Sequence, residues 1–215
     1  MIEYTYKHST KSGPKTVYML SCEILTEVVN SHVFPDSLAE LCRNGCINYN
    51  KKWCCPPNAK PFNILSKSFG RAIITCMYLH TDEFSHVQNK YLRIKAANMV
   101  LKKLSNRLSK EVEQALNGHA LLNGSCNLCR PCNYKISLPC KRPEQMRYSM
   151  EATGINVENL LKEVFEFELQ WYTAKSMPTY TSVVSCVLHN NMGGFDESLF
   201  TNKSFAELSC DARQK

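Results

Sequence analysis

The sequence predicts an α+β fold: a small mixed sheet packed by helices, with two cysteine-rich metal-binding loops resembling ferredoxin cluster loops. Three observations predict it. Strand-like and helix-like segments alternate loosely, giving an α+β layer. A long pattern between residues 85 and 116 repeats with a helical period and has one apolar face. The cysteines, 12 in 215 residues, gather mostly in two groups.

Taken in order, residues 1–33 read as an irregular or partly extended lead-in, with Val17-Tyr18-Met19-Leu20 as a strand. Asp36 is placed to cap a short helix, Ser37 to Leu41, that delivers Cys42. Arg71 to Leu79 (RAIITCMYL) is β-branched and apolar, the pattern of a buried strand, and Cys76 within it reads as a packed core thiol. From Ser85 to Leu116, the residues Val87, Tyr91, Ile94, Leu101, Leu104, Leu108, Val112 and Ala115 form one helical face. Lys90, Arg93, Lys95, Lys102, Lys103, Arg107 and Lys110 occupy much of the rest, a basic face that is ordinarily solvated and that also suits an acidic redox partner. Asn117-Gly118 ends the helix, and a short strand, Ala120 to Leu122, leads on to the later cysteines. Asn156 caps a helix from Val157 to about Trp171, and Thr181 to Leu188 (TSVVSCVL) reads as a strand. The expected division is a lead-in over 1–37, a cysteine-rich metal-binding domain over 38–190 and a polar tail over 191–215.

The clearest chemical signal is Cys126-x2-Cys129-x2-Cys132-x7-Cys140. Thiolates at successive i+3 positions wrap a loop around three corners of a cubane, and bacterial ferredoxins use the same C-x2-C-x2-C run. The x7 gap is longer than the ferredoxin x3, so Cys140 closes either this cluster or another. Zinc is the alternative, although zinc sites usually pair two distant C-x2-C knuckles, and His119, seven residues before Cys126, is the nearest upstream histidine.

The earlier group is Cys42-x3-Cys46-x7-Cys54-Cys55-Pro56-Pro57. The two prolines stiffen the exit and remove two N–H donors beside the sulfur. Adjacent cysteines rarely both bind one metal, so Cys55 is taken as the ligand and Cys54 as its alternative. Cys42, Cys46 and Cys55 then make a three-thiolate site whose open iron would face a substrate, unless Cys54, Cys22, Cys76 or Cys140 supplies a fourth thiolate. Trp53 and Tyr49 read as shielding. The remaining cysteines, Cys22, Cys76, Cys186 and Cys210, are scattered.

These residues carry a family resemblance. The run from Cys42 to Pro57 (CRNGCINYNKKWCCPP), the CNLCRPC of 126–132, Cys140-Lys141-Arg142-Pro143, and Arg147 to Val157 (RYSMEATGINV) resemble a family of uncharacterised predicted metal-binding proteins with a domain of unknown function. The resemblance spans about residues 38–190. Tyr148 and Asn156 stand where that family tends to have Pro and Asp, and both changes keep a turn and a helix cap. The resemblance implies cysteine-bound metal, iron–sulfur in type, and no particular reaction. Within the third piece, Arg147 is a candidate to hold an anion and Glu151 to move a proton. The structural reading makes Ser149 a cap, sets Glu151 in a first turn and lets Gly154 end that turn.

Twenty-six Lys and Arg against nineteen Asp and Glu give a formal charge of +7. Two cubanes held by eight thiolates would offset about four of those charges, so the excess does not demand nucleic acid. The N-terminus is polar with no apolar stretch behind it, and no run approaches the ~18 apolar residues of a membrane span. A cytoplasmic location is expected, where many cysteines favour metal over cross-links. Walker A, G-x-G-x-x-G, H-E-x-x-H and C-x-x-C-H motifs are absent. The expected cofactor is a pair of [4Fe–4S] clusters, with zinc as the alternative. The expected partner is a redox protein or a small-molecule substrate.

Overall fold

Residues 71–80 (RAIITCMYLH) are apolar on both pleat faces and become the central strand of the sheet. The protein is described by a computed structural model covering residues 1–173, 176–192 and Phe200. The strands are β1 (Ile2–Thr10), β2 (Gly13–Leu25), β3 (Arg71–His80), β4 (His119–Leu121) and β5 (Tyr180–His189), in spatial order β1-β2-β3-β5-β4. The helices are α1 (Thr26–Asn30), α2 (Pro35–Gly45), α3 (Phe62–Leu65), α4 (Lys90–Ala115) and α5 (Val157–Phe165). The α+β class is as expected. The sheet, however, is antiparallel at every pairing rather than mixed. β1 and β2 meet through a tight turn, whereas the chain runs from β3 through α4 to β4 at the far edge, and β5 then inserts between β3 and β4.

Residues 2–25, expected as an irregular lead-in around one strand, form a full hairpin along the sheet edge. β1 is only half-buried on alternate residues, so its polar composition hid it from an apolar-run criterion. Gly13 takes φ +99° at the turn, a conformation that favours glycine.

Alternation along β3 sorts the core into two layers. Ile73, Met77 and Leu79 face α4, where Ala97, Leu101, Leu104, Leu108 and Val112 cover them. A seam of small hydroxyls brings α4 close to the sheet: Ser105 Oγ and Ser109 Oγ lie 3.2 and 2.8 Å from Ser185 Oγ. Ala72, Ile74 and Cys76 face the opposite way, toward α5 and the cysteine loops. Helix α4 begins at Lys90 rather than Ser85. Asn89 accepts the Leu92 N–H as the cap, while Arg93 reaches back to the Val87 and Ser85 carbonyls. Helix α5 stops at Phe165, short of Trp171, because Glu166 turns left-handed (φ +52°) and the Glu166 and Phe167 N–H groups close on Lys162 and Leu161. Among the described residues no helix is long and apolar enough to cross a membrane. Most of the expected 191–215 tail, Cys210 included, lies outside the described residues, although Phe200 is buried against the α4 side of the core.

One strap places the first cysteine group. The Phe34 N–H donates to Gly154 O at 2.7 Å, and Val33 bridges Ile155. Pro35 then opens α2 at its first position, so the cap is the backbone at Phe34 and Asp36 sits in the first turn. Gly154 has φ +93°, and a Cβ there would stand 2.9 Å from Pro35 Cα. Gly154→Ala should therefore cost about 1–3 kcal/mol in chemical denaturation through overpacking and backbone strain. Gly45→Ala, with open space and no such backbone demand, should stay within about 1 kcal/mol of wild type. Equal losses would contradict this account of the strap.

Candidate metal centre

Helix α2 carries Cys42 in its last turn, and Cys46 follows as its cap, donating its N–H to Cys42 O at 3.0 Å. The i, i+4 relation puts both thiols on one side. The chain then folds back through tight turns. Tyr49 N–H bonds Cys46 O, Asn50 adopts φ +51° and bonds Pro56 O, and Cys55 N–H bonds Lys52 O. These turns bury Cys54 and Cys55, at 2% and 6% exposure, against the sheet face bearing Cys76. Pro56-Pro57 and Arg130-Pro131 are cis.

The second loop has almost no regular structure and is held from the first. Lys52 Nζ donates to Ser125 Oγ and Cys126 O, both at 2.8 Å, and to Asn127 Oδ1 at 3.1 Å. Trp53 Nε1 donates to Leu138 O at 3.0 Å, and its ring meets Tyr134 edge-on at 5.0 Å. The Tyr134 hydroxyl bonds Asn50 Oδ1. Cys126 N–H donates to Cys54 Sγ at 3.1 Å. Trp53 thus clamps the loop as well as covering it, and Lys52 positions the same loop, a role that the sequence did not reveal. Its spacing carries no signal, because its partners lie more than 70 residues away.

Two recesses result. A small one is lined by Cys54, Cys126, Cys129, Cys132 and Cys140, with Trp53 and Met146. A larger cavity, about 890 Å³, has Cys42, Cys46, Cys54 and Cys55 among its lining residues, with Ser149 and Glu151. The two cysteine groups read from the sequence are therefore brought together separately, and Cys54 lines both recesses. Cys54 Sγ and Cys55 Sγ are 3.8 Å apart. Cys22, Cys76 and Cys186 are buried on the sheet and line neither recess. Arg147 is committed to structure: its Nε bonds Glu113 Oε1 at 2.6 Å, and its Nη1 bonds two carbonyls. Ser149 Oγ accepts the Ala152 N–H at 3.3 Å, in keeping with its role as a cap.

Among the described residues no three Cys, His, Asp or Glu side chains converge on one ion-sized point. The thiols stand instead around the recesses, and no histidine lines either one. Soft sulfur donors with no imidazole or carboxylate majority fit thiophilic metal, whether zinc or iron–sulfur. The electrostatics divide the adjacent pair. The Cys55 S–H donated to Cys54 Sγ, helped by the Cys126 N–H and the Lys52 ammonium and opposed by burial, lowers the Cys54 thiol to about 6. The same bond, with burial, pushes Cys55 upward. Cys42 is raised by burial, then by Cys46 and Glu151, and Cys126 chiefly by burial.

Residues 29–189 match the family model described as "Predicted metal-binding protein (DUF2284)". The match takes in well over half of the chain, and the chain belongs to that family. No curated protein and no solved structure matches it.

In the metal-free chain one thiolate should already be present at neutral pH. A lowered folded pKa means the stabilisation from this thiolate is present above the ordinary thiol range and is lost as pH falls through about 6. Ultraviolet thiolate absorbance should drop across that window, and the step should vanish in Cys54→Ser. A step that persists in Cys54→Ser would assign the thiolate elsewhere.

Proposed function

We propose that this chain is an iron–sulfur protein with two [4Fe–4S] sites, acting in electron transfer or redox chemistry in the cytoplasm. The observation that carries the reading is the sorting of the cysteines into two recesses that share Cys54 alone among their thiols. Thiols spread around a recess suit a cluster, whose ligands sit on separate irons, better than a single tetrahedral ion. Cys42, Cys46 and Cys55 would hold the first cluster. Cys126, Cys129 and Cys132 would hold the second, with Cys140 or Cys54 as the fourth ligand. When bound, the clusters supply one-electron exchange at a potential set by burial and by hydrogen bonds to sulfur. The protein's own contributions are the Cys126 N–H and Lys52 ammonium beside Cys54, and the cover of Trp53. The basic lysines of α4 offer a docking face to an acidic redox protein.

A second reading rests on a specific observation. The first group has three dedicated thiols and faces the large cavity, which Ser149 and Glu151 also line. That is the arrangement of a site with an iron open to a small-molecule substrate, which makes the protein an enzyme rather than a carrier.

Anaerobically purified protein should contain about eight irons and eight sulfides per chain, with electron paramagnetic resonance signals appearing on reduction. Zinc without sulfide would replace the reading with a zinc-stapled binding module. Cys42→Ala and Cys55→Ala should remove the same signal, and Cys129→Ala the other. Cys54→Ala should weaken the signal that Cys129→Ala abolishes. Loss of both signals from any one of the Cys42, Cys55 or Cys129 substitutions would sink the two-site arrangement.

A further inference from the structure

The large cavity lies where the sheet is left open. β4 pairs only with Cys186–Leu188 of β5, so Thr181 to Val184 of β5 form a floor that β4 does not cover. Side chains of α4 and the first cysteine group also line it. Along α4 the cavity is lined by Lys95, Asn98, Lys102 and Asn106, spaced three or four residues apart and therefore on one stripe of the helix.

The stripe offers donors. Asn98 Oδ1 is occupied by the Thr181 hydroxyl at 2.8 Å. Asn106 Oδ1 is occupied by the Asn123 backbone N–H at 2.8 Å and its side-chain amide at 3.3 Å. With both acceptor ends taken, each amide is left with its NH2 end. Lys95 and Lys102 make no salt bridge among the described residues. Gly124, with φ +70°, lies beside Lys102 Nζ, a Cβ there standing 3.7 Å away, so this ammonium sits at the loop leading into Cys126. Lys103 also lines the cavity, and Glu151 is the one carboxylate among its described lining residues. At the rim stand Trp171, Tyr172 and Tyr91, each 43% exposed or more, with the two tyrosine rings 5.8 Å apart.

We propose that this cavity is a binding site for a small organic anion, carboxylate- or phosphate-bearing, held by Lys95, Lys102, Asn98 and Asn106 with its other end at the first cysteine group. The site names a substrate class for the catalytic reading above and rests on that reading for its role. The anion contacts themselves need only protein donors. The volume of about 890 Å³ falls in the range of small-molecule sites. A purely solvated helix face would not need its amide acceptors taken up by the cavity's own floor and loop.

The test titrates citrate and pyrophosphate, at constant ionic strength, into the metal-free and the metal-loaded full chain, read by Trp171 fluorescence and by calorimetry. At least one of the two anions should bind saturably. Binding should weaken roughly ten-fold or more in Lys95→Met/Lys102→Met and stay unchanged in Lys110→Met, an exposed lysine of α4 outside the cavity. Trp171→Phe should remove the fluorescence change and keep the heat. Citrate alone binding marks a carboxylate site and pyrophosphate alone a phosphate site. No saturable binding of either anion, or equal weakening in Lys110→Met, overturns the proposal. Metal analysis of the same samples separates the two readings. Binding with no iron or sulfide in the protein as anaerobically purified keeps the anion site and removes the clusters, whereas iron and sulfide in that protein without binding do the reverse.

Discussion

The arrangement depends on one short stretch, Lys52-Trp53-Cys54-Cys55, pressed against the sheet. The later cysteine loop has little regular structure and few buried side chains, so nothing within it sets its position. Lys52 donates three hydrogen bonds to its entry, Trp53 ties down the excursion between Cys132 and Cys140, and Cys54 accepts a backbone N–H from Cys126. A charged donor satisfying a carbonyl and two side-chain oxygens is worth more than neutral bonds of the same length. Because Cys54 and Cys55 are themselves buried, the core transmits its rigidity to both cysteine groups through this stretch.

The sheet divides labour between its faces. The α4 side is ordinary packing with a hydroxyl seam. The other side gathers α5, the strap at 32–35 and 154–156, and the loops bearing the cysteines. Shortness of β4 is what lets the two sides communicate, since the uncovered half of β5 opens a cavity reaching from the α4 lysines to Cys42 and Cys46. A longer β4 would cover this floor and close off the cavity.

Buried Glu113 illustrates how structural demands occupy residues that look functional. It accepts the Ala120 N–H and the Arg147 guanidinium at 2.6 Å each, tying α4 to β4 and to the segment before Ser149. Arg147, an attractive anion ligand by sequence, is consumed by that tie. The lysines that line a cavity had read as solvated surface or as a docking face for an acidic redox partner, because a sequence cannot tell which stripe of a helix faces solvent and which a recess.

Local physical chemistry was enough to read β3, β4 and β5, the presence of α4 and α5 though not where α4 begins or α5 ends, the cysteine grouping and the caps at Asn156 and Ser149. Periodicity, cap chemistry and ligand spacing act within a few residues, so they are written in the chain directly. It was not enough for the β1–β2 hairpin, whose polar alternation reads as loop until a neighbouring strand buries one side. Nor could it rank Cys54 against Cys55. Identical side chains at adjacent positions differ only in what lies opposite them, and what lies opposite Cys54 is Cys126, 72 residues away in sequence. The number and spacing of the cysteines were a property of the sequence by itself. Which thiol faces which recess, and that a donor-lined cavity adjoins one of them, were decided by the tertiary structure, because both depend on contacts between segments far apart in the chain.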